Sequence, residues 1–411
     1  MRIALLSWES LAGSAWTEAA VLVGETARAL QARGAEVHVF TSRAPGQPAE
    51  VTVALPSRWD GNAIPEGLDG VRYHCCAHDP DPDPFEEAHN LGRAILERLR
   101  QVERTGRFPV AHGFEWPMAS ALGELRQEAG RATVWSFFQA RENWAPPAWL
   151  LDRSDSNPRW RYHPGEFAGL ILAPSEPAQQ GFLGRWALPA ERVEIVHPGI
   201  DPAWPGDKVN PAEVKARYRF DTFDPVVLYI GQLTPQARPG MLLDAMPAVL
   251  EKHPDARLVF AGDGELAGYL ADRAQVLGIE GAVRLLGEPP GPDLARLCQS
   301  CDVVCLPQRS QALLSPYLQA WAAGKPVIVT RSHGAAAFVW PEVTGLVAED
   351  SLPGLAAAVL WMFADFERGR WIGENGRRAV RDAFGWPAIS ARLLDCYTRV
   401  AAERGATAAL R

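Results

Sequence analysis

The sequence begins with MRIALLS (1–7) and continues, after a loop, with EAAVLVGETARALQARGAEVHVF (18–40). Ile3–Leu6 is an apolar run of strand length, and Glu18–Arg33 carries apolar residues at helical spacing. Gly34 stands where a C-capping glycine is expected, and Glu36–Phe40 alternates between polar and apolar residues as a strand does. A strand, a helix and a second strand joined by short turns predict a right-handed crossover between two parallel strands.

The same unit recurs along the rest of the chain. In the first half we expect strands at Gly70–His74, Pro109–His112 and Ala132–Phe137, and a helix at Phe85–Glu103. Residues 198–211 are rich in Pro and Gly and have the composition of a linker. A second series of strands follows, at Pro225–Ile230, Ala256–Ala261, Val283–Leu286, Asp302–Leu306 and Pro326–Val329. Two such series predict an α/β protein with two doubly wound sheets, whose ligands bind beyond the carboxyl ends of the strands.

Composition excludes several classes of partner. With 411 residues, 47% of them hydrophobic and 22% charged, the chain is long enough for two or three globular domains. Its net charge of −8 offers no basic field for a nucleic acid or an anionic membrane. The longest apolar runs, such as Val226–Ile230, are too short to span a bilayer, and the first residues lack the pattern of a signal peptide. We therefore expect a cytoplasmic protein that binds no nucleic acid and does not span a membrane.

The cysteines and tryptophans each allow two interpretations. Cys298, Cys301 and Cys305 form the one grouping that suggests a metal or redox site, but a helix and a strand would point their side chains in different directions. We predict buried thiols that act as small hydrophobic residues, and no metal site. The 15 tryptophans indicate either large aromatic packing or an aromatic-lined surface, and the sequence alone does not choose between them.

Five tracts, in chain order, carry a family resemblance. They are Met1–Glu9 with Ala32–Thr41, the hinge-like tract Val193–Asp201, Leu258–Gly264, Ala320–Ile328 (AWAAGKPVI), and Phe384–Trp386 with the helix after it. These tracts resemble family 4 of the retaining glycosyltransferases, and in particular its bacterial glycogen-synthase-like branch. The resemblance covers essentially the whole chain. It implies the GT-B fold, in which two Rossmann-like doubly wound domains face each other across a cleft.

The resemblance also implies where the domains lie along the chain and which substrate each would bind. Residues 1–205 would form the acceptor-side domain, 206–385 the nucleotide-sugar-side domain, and 386–411 a terminal helix that crosses back to the first domain. The implied reaction is hexosyl transfer from a nucleotide sugar to a carbohydrate or small-molecule acceptor, with retention and without a metal or other cofactor. Such a reaction needs cations and helix N-terminal N–H groups at the departing diphosphate, and polar groups at the sugar and ribose hydroxyls.

Several polar positions of the family are replaced in the second half of this chain. The Arg of the family's "GRL" turn corresponds to Gln232, and its Lys corresponds best to Arg238, so the resemblance leaves one cation at the diphosphate. The family's two carboxylates correspond to Gln311 and Gln319. Amides still bond a hydroxyl, but without the strengthening that an ionic acceptor gives.

The remaining departures lie at two glycine turns and on the first domain. The turn "GGxxE" corresponds to His333 and Gly334, with Phe338 in place of its acid, and the family's N-terminal double-glycine loop is reduced to Gly13. The family's histidine on the fourth strand falls at or near Phe138. Glu115, in HGFEW (112–116), lines up with the family's acceptor-side "HxHDW". It is either an acceptor carboxylate or a surface-facing loop residue.

Three functions remain open at this point. In the first, the chain is a hexosyltransferase with a rebuilt site, in which Arg238, Gln311 and Glu115 act in catalysis. The residues expected to bind the nucleotide sugar are Gly13, Gln232, Arg238, Gln311, Gln319, His333 and Gly334. In the second, the chain is a catalytically inactive relative that binds a carbohydrate or a partner protein, a second copy of itself included, through a Trp-rich face. The third is an enzyme of another class on the same scaffold.

Overall fold

A computed structural model describes residues 1–8, 18–43, 48–53, 58–59, 62–63, 70–128, 130–137, 163–308, 315–332 and 334–409. The chain divides into two units, an N-terminal unit formed by Met1–Gly199 with Trp386–Arg411, and a C-terminal unit formed by Ile200–Gly385. The last segment of the chain thus groups with the first, and the division between the units falls at 199/200, where the sequence suggested 205/206.

The N-terminal unit is built on an eight-stranded sheet. The strands are β1 (Arg2–Leu6), β2 (Glu36–Ser42), β3 (Glu50–Val53), β4 (Arg58–Trp59), β5 (Asn62–Ala63), β6 (Val71–Cys76), β7 (Val110–Phe114), β8 (Ala132–Ser136), β9 (Leu170–Ala173) and β10 (Val193–Ile195). The sheet order is β10-β9-β8-β7-β1-β2-β6-β3, and β4 and β5 form a separate pair. Neighbouring strands of the large sheet are parallel, except that β3 runs antiparallel to β6.

Helices pack against this sheet and against one another. They are α1 (Glu18–Ala32), α2 (Pro84–Val102), α3 (Ala119–Gln127), α4 (Pro164–Phe167), α5 (Glu176–Trp186) and, from the end of the chain, α13 (Trp386–Ala409). Helix α1 contacts α13, and α2 contacts α3. The Pro/Asp-rich loop before α2 explains where that helix begins, because the Asp83 carboxylate accepts the Phe85 N–H at 2.9 Å and Pro84 takes the first helical position.

The C-terminal unit repeats the design with six parallel strands. They are β11 (Val226–Ile230), β12 (Arg257–Ala261), β13 (Val283–Leu285), β14 (Val303–Leu306), β15 (Val327–Thr330) and β16 (Gly345–Ala348), in the sheet order β13-β12-β11-β14-β15-β16. The helices are α6 (Pro211–Arg217), α7 (Pro239–Lys252), α8 (Ala267–Val276), α9 (Gly291–Ser300), α10 (Ser315–Ala322), α11 (Leu352–Phe363) and α12 (Phe366–Ala379), followed by a π-helical turn at Val380–Phe384. The predicted pair of doubly wound sheets is confirmed.

The order of the strands fixes where each sheet offers a crevice. In the N-terminal unit the chain runs outward from β1 through β2 to β6 and then returns to β7 on the other side of β1. In the C-terminal unit it runs from β11 to β13 and returns to β14. These two reversals are topological switch points, and ligands of doubly wound sheets bind just beyond the carboxyl ends of the strands there.

The exposure of the cysteines and tryptophans bears on the alternatives that the sequence left open for them. Cys298, Cys301 and Cys305 are at most 2% exposed, and burial raises the pKa of each thiol, so the prediction of buried small hydrophobic residues is confirmed. Among the tryptophans of the described residues, Trp135 and Trp321 are fully buried, as aromatic packing requires, whereas Trp340 and Trp371 are exposed. None of the described helices is both long enough and apolar enough to cross a bilayer.

Candidate functional site

The switch point of the C-terminal unit is a turn made of tightly packed backbone. Strand β11 ends at Ile230, and the turn Gly231–Leu233 lies directly against the turn that follows β12. A Cβ on Gly262 would stand 1.8 Å from the carbonyl oxygen of Gly231, and one on Gly264 would stand 2.5 Å from that of Leu233. Both glycines also have positive φ, 157° and 155°. Bare backbone is therefore required here.

A buried amide packs against the turn Gly231–Leu233. Gln308 follows β14 and is 6% exposed, and its Nε2 lies 2.7 Å from the place that a Cβ of Gly231 would take. Gln308 hydrogen-bonds to Tyr229, whose hydroxyl donates to the carbonyl of Gln232 at 2.7 Å. The hydroxyl of Thr330 donates to the carbonyl of Gln308 at 3.1 Å. The ends of β11, β14 and β15 are thereby joined. Sequence reasoning missed Gln308, although a polar residue directly after an apolar strand was the available signal.

Arg238 lies at the start of α7, on the same edge of the sheet. Its backbone is left-handed, with φ 53° and ψ 38°, and its Nη1 donates to Oδ1 of Asp350 at 2.7 Å. Asp350, just beyond β16, also accepts the backbone N–H of Ser332 at 3.0 Å and its hydroxyl at 2.6 Å. Burial by itself would raise the pKa of Asp350, but the hydrogen bonds from Ser332 and Arg238 outweigh it and lower the pKa. The positive charge of Arg238 is thus balanced by a carboxylate.

The other predicted residues of this unit are less closely gathered. Gln232 is exposed on the switch-point turn, Gln319 is half-buried on α10, and Gly334 opens a 3₁₀ turn after β15. Phe338, in the position of the family's acid, is partly buried and packs against the apolar core of the unit, with its ring centroid 6.0 Å from that of Tyr317. The predicted residues that lie outside the described part of the chain are Gly13, Phe138, Gln311 and His333.

At the N-terminal switch point, Glu115 has an unusual backbone. It follows β7 directly and adopts φ 65° and ψ 173°, a conformation that only glycine adopts readily. Two hydrogen bonds hold it there, because its N–H donates to the Ser136 carbonyl at 2.9 Å and its carbonyl accepts the Trp135 indole N–H at 2.8 Å. The residue is partly buried.

Two neighbours of Glu115 in the sequence, Trp116 and His112, lie among aromatic rings and hydroxyl groups. The ring of Trp116 lies 6.2 Å from that of Trp8, which follows β1, and 5.1 Å from that of Phe85. His112, on β7, bonds through Nδ1 to the hydroxyl of Tyr397 on α13 at 2.6 Å and through Nε2 to the hydroxyl of Ser136 at 2.7 Å. Burial lowers the pKa of His112 to about 3, so the ring is neutral and acts as a clamp between sheet and helix.

The two edges therefore offer different chemistry. The C-terminal edge presents backbone groups, neutral amides and the guanidiniums of Arg238 and Arg331, each already paired with a carboxylate. The N-terminal edge presents a carboxylate beside aromatic rings. Within the described parts of the chain, no three His, Cys, Asp or Glu side chains are grouped so that they would hold a metal ion.

Both units match known protein families. Residues 19–204 match the family described as Glycosyltransferase Family 4, and residues 212–379 match Glycosyl transferases group 1. A glycosyltransferase of Methanocaldococcus jannaschii that is itself uncharacterized is 31% identical over 232 residues, which are 55% of this chain and 59% of that protein. Glycogen synthase of Mycobacterium tuberculosis is 26% identical over 98% of this chain and 96% of its own length. D-inositol 3-phosphate glycosyltransferase of Streptosporangium roseum is 28% identical over 92% of this chain and 87% of its own.

Solved structures share the fold over nearly the whole chain. Sucrose-phosphate synthase of Thermosynechococcus elongatus has a TM-score of 0.74 at 21% identity and covers 98% of this chain and 99% of its own. Anabaena HepE, in complex with UDP, has a TM-score of 0.70 at 16% identity and covers 97% of this chain and 100% of its own. Each of the two family matches covers less than half of the chain, and the chain has the two-domain α/β fold of these solved structures, the GT-B fold.

Proposed function

We propose that this chain transfers a hexosyl group from a nucleotide sugar to an acceptor hydroxyl, with retention at the anomeric carbon. The observation that carries the proposal is the place of Arg238, at the start of α7 and on the carboxyl edge of the C-terminal sheet. A guanidinium beside a helix N-terminus is the combination that binds and neutralises a diphosphate. The donor would therefore bind to the C-terminal unit.

In the proposed reaction the bond between the anomeric carbon and the leaving phosphate oxygen breaks. The acceptor hydroxyl oxygen forms its bond on the same face of that carbon, and the hydroxyl proton passes to the departing phosphate. Arg238 and the N–H groups of the first turn of α7 would stabilise the charge that develops on the diphosphate, and this role requires no metal or other cofactor. Gln311 and Gln319 would hold ribose and sugar hydroxyls as neutral partners, and Gly13 and Gly334 would let the substrates approach the backbone.

The acceptor would bind to the N-terminal unit through Glu115. A carboxylate accepts hydrogen bonds from hydroxyls more strongly than a neutral group does, and the ring of Trp8 offers an apolar surface nearby. Relatives of this chain are named for glycogen and for inositol phosphate, both rich in hydroxyls. We accordingly propose a hydroxyl-rich acceptor, either a glucan or a cyclitol.

A second candidate function is binding without catalysis. The ion pair between Arg238 and Asp350 favours it, because a guanidinium that already has a carboxylate partner contributes less charge to a leaving diphosphate. The amides at 232 and 319 point the same way, since Gln232 stands where the family has a cation and Gln319 where it has a carboxylate. In this case the chain would hold a nucleotide or a saccharide and no product would form.

One assay separates the two functions. The protein is incubated with UDP-glucose, ADP-glucose or GDP-mannose and with maltooligosaccharides or inositol phosphate, and released nucleoside diphosphate and the anomeric configuration of the product are measured. Transfer predicts an α-linked product from one donor and a loss of rate of about tenfold or more in Arg238→Gln. Arg273→Gln is the matched control, because Arg273 forms an equally short ion pair, with Asp244 at 2.7 Å, on α8.

Thermal unfolding with the same nucleotides reports on binding alone. A ligand at one hundred times its dissociation constant stabilises a protein by about 2.7 kcal/mol. Stabilisation without product would support the binding function against transfer. Neither stabilisation nor product with any of these donors would contradict both.

A further inference from the structure

Three arginines meet at the amino edge of the N-terminal sheet, the edge opposite to Glu115. Arg126 lies in the last turn of α3, Arg192 directly precedes β10, and Arg404 is on α13. All three are half-buried. Their neighbours Arg131 and Gly169 directly precede β8 and β9, which places the cluster at the starts of three adjacent parallel strands.

Two of the three guanidiniums are anchored to the backbone. Arg192 donates through Nη2 to the carbonyls of Gly165, at 2.8 Å, and Ala168, and through Nε to that of Gly169 at 3.4 Å. Arg404 donates through Nε to the carbonyl of Arg131 at 3.1 Å and through Nη2 to that of Arg126. These bonds fix the positions of two positive charges without neutralising them.

Arg126 is different, because its own donors are uncommitted. Among the described residues, none of its five N–H groups has an acceptor and no carboxylate lies within ion-pair distance of it. The absent side chain of Gly169 makes room for it, since a Cβ there would stand 3.0 Å from Arg126 Nη1. Burial, followed by the charges of Arg192 and Arg404, lowers the pKa of Arg126 to about 10. Such a shift marks a cation whose charge has no counterpart.

The nearby acids are occupied elsewhere. Glu103 and Glu128 both bond to the buried Arg131, at 2.9 Å and 2.6 Å. Glu191, which is exposed, acts on Arg192 only through its field. Three partly desolvated like charges therefore remain together, an arrangement that lowers stability unless an anion joins them.

We propose that Arg126, Arg192 and Arg404 form a binding site for the phosphoryl group of a small ligand, either inorganic phosphate or a phosphate monoester. A tetrahedral dianion has oxygens in several directions. It can therefore accept hydrogen bonds from guanidinium groups that lie at the end of one helix, at the start of a strand and on a second helix. A carboxylate, with two oxygens in one plane, would engage fewer of them. The site is separate from the carboxyl edges that carry the proposed transfer.

The test compares thermal unfolding in chloride and in inorganic phosphate at equal ionic strength. Wild type should be stabilised in a saturable way by phosphate. Arg126→Met should weaken phosphate binding by about tenfold or more, because it removes a charged donor set. In chloride the same variant should melt at least as high as wild type, because it removes an unbalanced charge. Loss of stability in chloride would instead identify Arg126 as purely structural and would overturn the proposal.

Controls separate this site from other phosphate sites and from charge alone. Arg185→Met, an exposed arginine of the same unit, removes the same charge and should keep the full phosphate response. Arg238→Gln should also keep the full stabilisation by phosphate, and Arg126→Met should keep any stabilisation by UDP. A failure of the phosphate site and a failure of the proposed function are therefore distinguishable. A parallel titration with glucose 6-phosphate distinguishes the sources, since a response to the monoester alone assigns an organic phosphate. An equal phosphate response in wild type and Arg126→Met would overturn the site.

Discussion

Directly after β11 and β12 in the C-terminal unit, positive φ is carried by Gly231, Gly262 and Gly264, whereas directly after β7 in the N-terminal unit it is carried by Glu115. In the first region the residue type follows from the backbone, because a side chain would collide with the neighbouring turn. In the second region the residue type opposes the backbone, at a cost of about 1–3 kcal/mol for such a conformation. The strain at Glu115 therefore supports the proposal that its carboxylate binds the acceptor.

The same contrast appears in the charges. At the C-terminal edge Arg238 has a partner, Asp350, and the switch point itself holds neutral amides. At the N-terminal edge an acid lies on strained backbone beside aromatic rings. The comparison predicts that changes at the packed glycine turns of the first edge act on folding, and that a change at Glu115 acts on function.

The largest expected effect is on the packed turns of the C-terminal unit. Gly262→Ala would place a Cβ 1.8 Å from a backbone oxygen, and we expect a loss of about 3 kcal/mol or more of unfolding free energy. Gly268→Ala, six residues on in α8, has no atom within 4 Å of the new Cβ and should be neutral or stabilise by up to about 1 kcal/mol. Urea unfolding of both variants checks this, and equal stabilities would break the comparison.

Acid should act on the N-terminal unit first. His38, His74, His112 and His197 all lie there, and burial lowers the pKa of each, to about 3 for His74 and His112. A histidine of the unfolded chain takes up a proton near pH 6.5 while the buried ring stays neutral. The stabilising contribution is therefore complete above about pH 6.5 and is lost toward pH 3, by up to about 1.4 kcal/mol per pH unit for each ring.

Hydrogen exchange measured by mass spectrometry, corrected for its intrinsic pH dependence, resolves the two units. Between pH 7 and pH 4 the β7 and β8 peptides should lose protection before the β11 and β14 peptides do. In the C-terminal unit the lowered pKa of Asp350 affects stability only at lower pH, below about 4. Simultaneous loss of protection in both units would contradict the assignment.

Much of this fold was accessible from apolar periodicity. The strand–helix alternation of both halves follows local rules, and this prediction is confirmed. The strands predicted from the sequence end at Val329 and do not include β16, whose short run Gly345–Ala348 carries little signal of its own. Because β16 was not predicted, Asp350, which follows it and pairs with Arg238, was not predicted as a site residue either.

The candidate site was less accessible for a physical reason. Family motifs indicate which positions lie near the carboxyl edge, but they do not indicate what each replaced side chain does there. Phe338 packs against the apolar core. Gln308 was not predicted as a site residue, because its role depends on a contact with a turn 77 residues earlier. The resemblance to the family's acceptor-side motif predicted Glu115 as a site residue, but the sequence could not predict its strained backbone.

Glu115 itself gives the third and smaller effect. Glu115→Gly should raise the unfolding free energy by about 1–3 kcal/mol, because glycine adopts φ 65° and ψ 173° without strain. The same variant should lose acceptor-dependent turnover. Glu342→Gly is the control, since Glu342 also has a positive φ, 62°, but lies exposed in a turn of the other unit, where the change should relieve strain and leave turnover intact. Destabilisation by Glu115→Gly would show that the carboxylate is structural.

The most direct measurement is a calorimetric titration of UDP, ADP and GDP into wild type, Arg238→Gln, Asp350→Asn and the control Arg273→Gln. If Arg238 binds the diphosphate in competition with Asp350, one nucleotide binds wild type, Arg238→Gln weakens it by about tenfold or more, and Asp350→Asn tightens it. Arg273→Gln should bind as wild type does. Absence of binding by all three nucleotides, or an affinity unchanged in Arg238→Gln, would contradict the proposed donor site.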